Sequence, residues 1–111
     1  MSNEHNICSN SNVTIRKTSG EVTIHITGDF DSSTTPTIHR CCKEITKSGR
    51  VERIVIDFDK AKHVDSTAFA CIISFIKEHL GDDTGIRVAN LHDPEKNLLD
   101  ILKVERIIKI E

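Results

Sequence analysis

Hydrophobic positions recur along the chain with two different spacings, and these spacings predict the order of its strands and helices. Apolar residues at every second position are typical of strands with one buried face, whereas spacing at i, i+3, i+4 and i+7 is typical of helices that bury one side. Strands are accordingly predicted at residues 13–18, 22–27, 53–58, 86–90 and 104–110, and helices at about 36–48, 66–80 and 93–102.

This order, β-β-α-β-α-β-α-β, predicts an α/β fold built on a mixed, mainly parallel sheet of about five strands with helices. A turn at residues 18–20 joins the first two strands into a hairpin. The later strands alternate with helices, which favours parallel pairing. The third helix is expected to begin with Asp93 as its cap and Pro94 as its first residue. We expect one domain over residues 13–111 and a flexible N-terminal tail over residues 1–12.

Composition and charge exclude several classes of function. A net charge of −2 and an aromatic content limited to four phenylalanines argue against direct nucleic-acid binding, which needs basic patches or stacking rings. No apolar run approaches the roughly 18 residues of a membrane-spanning helix, and residues 1–12 lack the charged and apolar regions of a secretion signal. We therefore expect no membrane insertion and a cytoplasmic location.

The four cysteines, Cys8, Cys41, Cys42 and Cys71, show no Cys-x-x-Cys pair of the kind that binds zinc. They are interpreted as reduced thiols, most of them at apolar positions. Because successive helix residues point in different directions, the cysteines at 41 and 42 cannot converge with His39 on one ion. No metal and no cofactor is expected.

The segment Asp65-Ser66-Thr67 lies between a predicted buried strand and a predicted helix. The start of a helix exposes backbone N–H groups and the positive end of the helix dipole, which favour an anion such as a phosphate. Serine is also among the best N-cap residues, so capping alone would explain Ser66. The pattern leaves both interpretations open.

An enzymatic function has little support in the sequence. Ser66 could be grouped with His63 and Asp65, but catalytic serines are recognised by converging geometry and not by adjacency along the chain. Ser66 also lacks the flanking glycines of a nucleophile elbow, since Val64 and Ala68 occupy those positions. We expect a protein that binds and does not catalyse.

A second motif, Gly28-Asp29-Phe30-Asp31, follows an earlier strand, and the two motifs together resemble those of the STAS domain family. The resemblance covers roughly residues 13 to 110 and is greatest to the short stand-alone bacterial anti-sigma factor antagonists. In that family a strand ends in Gly-Glu-Leu-Asp or a variant, and a later strand leads into Asp-Ser-Ser/Thr-Gly. Ala68 replaces the usual glycine of the second motif, which alters a position where a partner's backbone could approach.

The resemblance implies a phosphorylation-switched binding module in bacterial signalling and transcription regulation. The unmodified domain would bind a regulatory serine kinase that is also an anti-sigma factor, and so relieve inhibition of a sigma factor. Phosphorylation would reverse this partner switching, and a cognate phosphatase would restore it. The family's phosphorylated serine matches Ser66. Residues implied in the surroundings of the phosphosite or in partner binding are Asp29, Asp31, Asp65, Thr67 and Ala68.

A different class of function also fits the sequence. The chain could be a STAS-like adaptor subunit that braces a transporter ATPase or a larger signalling assembly without being phosphorylated. In that case Ser66 would be an ordinary helix cap. Sequence alone does not separate these two functions.

Overall fold

The computed structural model describes residues 4–81 and 83–110, which form six strands and three helices. Within these residues, no helix combines the length and the apolarity needed to cross a membrane. The elements, in chain order, are β1 (Glu4–Ser9), β2 (Val13–Thr18), β3 (Glu21–Phe30), α1 (Thr35–Thr46), β4 (Arg53–Val64), α2 (Ser66–Leu80), β5 (Gly85–Ala89), α3 (Lys96–Val104) and β6 (Ile108–Ile110).

The strands form one sheet in the order β1-β2-β3-β4-β5-β6. The first three strands pair antiparallel, and β3, β4, β5 and β6 pair parallel to one another. This arrangement confirms the predicted α/β class with a mixed, mainly parallel sheet. It has one strand more than the five expected from the apolar pattern.

One face of the sheet carries the core. Ile15, Ile24, Ile56 and Val88 stand in register across four neighbouring strands and are fully buried. Their neighbours along each strand point to the opposite face, where His25 is only half-buried. The helices therefore pack on a single face, and each contributes an apolar stripe to the core.

The additional strand corrects the predicted tail. Residues 1–12 are expected to be flexible, but Glu4–Ser9 forms an edge strand, β1, that pairs with β2. The polar composition of this segment hides the strand, because an edge strand can be held by backbone hydrogen bonds with few buried side chains. Residues 1–3 of the predicted tail, and residue 111 of the predicted domain, lie outside the described residues.

Strand β4 is twice as long as the predicted strand, which was expected to end at Phe58. Its register with β3 shifts twice, once near residues 58–59 and again near residue 62. A bulge places an extra residue on one strand, so pairing continues although the apolar alternation is broken. The polar residues Asp59 and Lys60, which look like a turn in the sequence, therefore belong to the strand.

The third helix and the last strand also begin later than predicted. Asp93 adopts a positive φ of 44° and is not the cap of α3, whose N-cap is Glu95. Val104, predicted to open the final strand, is instead the last residue of α3, and β6 covers only residues 108–110. Apolar residues near the end of a helix mimic the pattern of a following strand, which accounts for the difference.

The cysteine prediction is wrong for two of the four residues. A disulfide joins Cys8 in β1 to Cys41 in α1, whereas Cys42 and Cys71 are free thiols. The joined cysteines are 33 positions apart and follow no recognisable spacing, so no pattern in the sequence predicts the bond.

Candidate functional site

The two motifs meet at the same end of the sheet. Asp29 and Phe30 at the end of β3 pair in parallel with His63 and Val64 at the end of β4. The backbone N–H of Asp65 then donates a 2.8 Å hydrogen bond to the carbonyl oxygen of Phe30. We call this surface, formed by residues 29–31 and 63–67, the β3–β4 rim. Such carboxyl ends of parallel strands are where open α/β sheets usually place their sites.

Gly28 fits the conformation that the first motif requires. Its φ of +78° lies in the left-handed region, and the register of β3 with β4 shifts between this residue and Asp29. A Cβ atom at Gly28 would meet its nearest neighbour, the Asn12 amide, at 3.6 Å, an ordinary contact. The backbone conformation, and not crowding, therefore favours glycine.

Asp65, and not Ser66, is the N-cap of α2. Its backbone is extended, with φ −82° and ψ 130°, and its Oδ2 accepts a 3.2 Å hydrogen bond from the backbone N–H of Ala68. This is the usual geometry of a capping aspartate. The interpretation of Ser66 as an ordinary cap is therefore wrong, and the prediction that it lies at or beside the cap is confirmed.

Ser66 is the first residue of α2 and is half-buried. Within the described part of the chain, its hydroxyl group makes no hydrogen bond to another residue. Because the first backbone N–H groups of a helix have no partner inside the helix, an anion at this position would find donors nearby. Ser66 thus combines an uncommitted hydroxyl with a setting that stabilises negative charge.

The next two residues differ in exposure. Thr67 is exposed on the rim, whereas Ala68 is only 2% exposed and belongs to the core. The methyl group that replaces the family's usual glycine hydrogen therefore packs inside the protein. Of the residues expected in partner binding, Ala68 does not offer its side chain to a partner.

Asp31 is committed to the turn that precedes α1. Its Oδ1 accepts hydrogen bonds from both the hydroxyl and the backbone N–H of Ser33. These bonds, the hydroxyl first, lower the pKa of the Asp31 carboxyl below its ordinary value, because they stabilise the charged form. The positive charge that His63 carries when protonated acts in the same direction to a smaller degree.

Asp29 contributes its backbone to the same turn and leaves its side chain exposed. Its carbonyl oxygen accepts a 3.1 Å hydrogen bond from the hydroxyl of Thr34, which is buried at 6% exposure. The Thr34 hydroxyl in turn accepts a 3.4 Å bond from the backbone N–H of Asp31. Among the three aspartates of the rim, Asp29 is thus the one with an exposed side chain.

The structure adds basic residues that the sequence analysis did not assign to this surface. His63 faces Asp29 in the register, and Lys62 precedes it; both side chains are exposed. A concave surface of about 260 Å³ lies beside the rim, between the end of β4 and the loop from β5 to α3. Lys62, His63 and His92 line part of it. The extension of β4 positions these residues, and the sequence pattern gave no sign of that extension.

Neither a metal site nor a catalytic pair is assembled here. Across residues 4–81 and 83–110, no three His, Cys, Asp or Glu side chains are grouped so that they could hold a metal ion. Ser66 is not hydrogen-bonded to His63, although that pairing would be needed for His63 to act as its base.

Solved structures with the same fold include several anti-sigma factor antagonists. SpoIIAA in its unphosphorylated form is 13% identical, with a TM-score of 0.66 over 89% of this chain and 87% of the other. An anti-sigma factor antagonist from Mycobacterium paratuberculosis is 15% identical, with a TM-score of 0.68 over 88% and 83%. The Bacillus cell fate determinant SpoIIAA in the phosphorylated form is 12% identical, with a TM-score of 0.62 over 89% and 91%. At these identities the likeness establishes the fold.

No curated protein sequence matches the chain. The model of the STAS domain, however, matches residues 12–111, which is nearly the whole sequence. The match includes both motifs of the β3–β4 rim and the helix that begins at Ser66. The chain therefore belongs to the STAS domain family.

Proposed function

We propose that this protein is an anti-sigma factor antagonist whose binding is switched by phosphorylation of Ser66. In its unmodified form it binds a serine kinase that also acts as an anti-sigma factor, and thereby releases a sigma factor in the bacterial cytoplasm. Phosphorylation of Ser66 weakens this binding, and a cognate phosphatase restores it. The partner surface is the β3–β4 rim.

The observation that carries the proposal is the division of roles between Asp65 and Ser66. Asp65 caps α2 through its side chain and joins β3 through its backbone. The Ser66 hydroxyl takes part in neither task. Modification of Ser66 therefore leaves the hydrogen bonds that hold the rim intact, so the switch can act without unfolding the site.

The electrostatics of the rim give the direction of the switch. A phosphate group adds about −1.5 to −2 charges at pH 7. In the unbound protein, the dipole and unpaired N–H groups at the start of α2 stabilise that charge. A partner that packs against the rim would have to desolvate the phosphate next to Asp65, and unfavourable charge juxtaposition at an interface costs several kcal/mol. Binding is therefore expected for the unmodified form.

The neighbouring side chains have separate parts in this proposal. Asp29 is exposed and is available for contacts with the kinase or another partner, as is Thr67, which is a secondary phosphate acceptor. Asp31 acts through the turn that it stabilises with Ser33. One related protein, SpoIIAA, has been solved in phosphorylated and unphosphorylated forms, which supports the assignment of such a switch to this chain.

The proposal can be tested by partner capture. Wild-type, Ser66→Ala and Ser66→Asp proteins are immobilised, partners are captured from the native lysate, and the captured proteins are identified by mass spectrometry. We expect wild type and Ser66→Ala to capture a serine kinase that Ser66→Asp does not capture. Titration of that purified kinase in a calorimeter should then give at least tenfold weaker binding for Ser66→Asp, which corresponds to about 1.4 kcal/mol.

Ser74→Asp is the matched control, because it adds the same charge to an exposed position farther along α2. It should bind as wild type does. Equal binding by Ser66→Asp and wild type would contradict the switch. Capture of a transporter component by all four proteins would favour the adaptor function instead.

A further inference from the structure

The disulfide between Cys8 and Cys41 links a strand to a helix. Cys8 lies in the edge strand β1, and Cys41 lies in α1, which covers the sheet. The two cysteines are 33 positions apart, and the chain between them includes β2 and β3. It therefore fastens the outermost strand to the helical layer.

Apart from this bond, β1 is held mainly by its neighbour β2. The two strands pair antiparallel, and the register shifts between Asn6 and Cys8, so the pairing is interrupted near Ile7. Ile7 and Cys8 are only partly buried. By contrast, Val13 and Ile15 of β2 are fully buried. Because few apolar contacts secure β1, its attachment depends heavily on the covalent link.

The surroundings of the disulfide make one sulfur easier to attack. Cys41 is only 1% exposed, whereas Cys8 is partly exposed near the edge of the sheet. The side-chain amide of Asn10 donates hydrogen bonds to both sulfurs, at 3.4 Å to Cys8 Sγ and 3.5 Å to Cys41 Sγ. A thiol can therefore reach Cys8, and the amide stabilises the thiolate that leaves on Cys41.

We propose that the Cys8–Cys41 disulfide is a redox-controlled clasp that holds β1 on the sheet when oxidised and releases it when reduced. The reductant is a dithiol. One of its thiolates attacks Cys8 Sγ, the S–S bond breaks, and Cys41 leaves with the electron pair and takes a proton from solvent. The second thiolate of the dithiol then attacks the mixed disulfide and releases Cys8. One dithiol becomes a cyclic disulfide, and the protein gains two thiols.

The remaining cysteines are poorly placed to reshuffle this bond. Cys42 follows Cys41 in α1 but is buried, and burial raises the pKa of its thiol to about 12. Because the thiolate is the attacking species, Cys42 is a weak nucleophile at neutral pH.

Release of β1 would uncover the backbone edge of β2, since β1 lies at the outside of the sheet. This inference does not depend on phosphorylation of Ser66.

Hydrogen exchange measured on oxidised protein and on protein treated with dithiothreitol tests the clasp. We expect the amides of residues 4–9 to exchange at least about tenfold faster after reduction, because closing a loop of this size with a disulfide strongly restricts the opened chain. Amides in α2 should keep their protection in both states. Equal protection of β1 before and after reduction would overturn the proposal.

Two variants make the test specific. Cys8→Ser should exchange as the reduced protein does, with or without dithiothreitol, and it changes only a partly exposed side chain. Cys71→Ser removes a thiol on α2 and should respond to reduction as wild type does. A count of four reactive thiols in air-oxidised, unfolded wild-type protein would also overturn the proposal, since two are expected.

Discussion

Helix α1 begins shortly after the β3 side of the β3–β4 rim, and α2 begins within the rim, yet the two helix starts use their polar side chains differently. Before α1, Asp31, Ser33 and Thr34 bind one another or the nearby backbone. Before α2, Asp65 alone provides the side-chain cap, and the hydroxyl of Ser66 makes no hydrogen bond within the described residues.

The hydroxyl groups of Ser33 and Thr34 therefore have structural roles, whereas the hydroxyl group of Ser66 has none in the described part of the chain. Modification of Thr34 or Ser33 would break bonds that shape the turn before α1, whereas modification of Ser66 breaks none. A serine can act as a reversible switch only if the fold tolerates both of its states. The comparison therefore supports Ser66, and not Ser33 or Thr34, as the proposed phosphate acceptor.

The largest effect on stability is expected at the start of α1. Thr34→Val removes the buried hydroxyl that donates to the Asp29 carbonyl and accepts from the Asp31 N–H. Leaving buried polar groups without partners costs about 1–3 kcal/mol, and chemical denaturation would measure this loss. Thr67→Val, at the exposed start of α2, should change stability by less than about 0.5 kcal/mol. Similar values for both variants would remove the distinction between the two starts.

A smaller effect is expected for the cap of α2. Asp65→Ala removes the acceptor for the Ala68 N–H and should lower the free energy of unfolding by about 1 kcal/mol. Asp65→Asn retains a good capping side chain and should restore most of that stability. An unchanged midpoint of denaturation for Asp65→Ala would show that the cap is not at this residue.

Ser66→Ala should have almost no effect on stability, within about 0.5 kcal/mol of wild type. The reason is that Asp65 already caps the helix and the Ser66 hydroxyl holds no other group. Thermal and urea denaturation of the purified variant and of wild type would measure this difference in the free energy of unfolding. A loss as large as that of Asp65→Ala would mean that Ser66 shares the capping role.

The turn before α1 should also show a small dependence on pH. The Ser33 bonds lower the pKa of Asp31 below its ordinary value in the folded protein. The stability that these bonds contribute is therefore complete above the unfolded pKa and is lost as the pH falls through the lower, folded pKa. Ser33→Ala should raise the Asp31 pKa toward its ordinary value, as measured by NMR titration of the carboxyl group. No change in this pKa would contradict the assigned bond.

Much of the fold follows from the periodicity of the sequence, and the exceptions have identifiable causes. The β2–β3 hairpin, the buried part of β4 and the extent of α2 follow from the apolar spacing. Strand β1 and the second half of β4 are missed because backbone pairing and bulges, and not apolar alternation, maintain them.

The candidate site, like the fold, could be predicted only in part from the sequence. Parallel pairing brings the two motifs to one rim, as the order of strands suggests. The identity of the cap could not be predicted, because Asp65 and Ser66 are equally good candidates until the backbone conformation is known. Lys62 and His63 could not be assigned to the rim from the sequence, because the bulges that extend β4 bring them there.

The central claim is that Ser66 is the residue that a partner kinase modifies. The most direct test incubates wild type and Ser66→Ala with ATP and the serine kinase recovered by partner capture, and maps phosphate by peptide mass spectrometry. We expect one phosphate per wild-type chain, on Ser66 itself as located by fragmentation of its peptide, and at most a minor fraction on Thr67 in Ser66→Ala. Equal phosphorylation of both proteins, or phosphate confined to Ser2, Ser9 or Ser11, would contradict it.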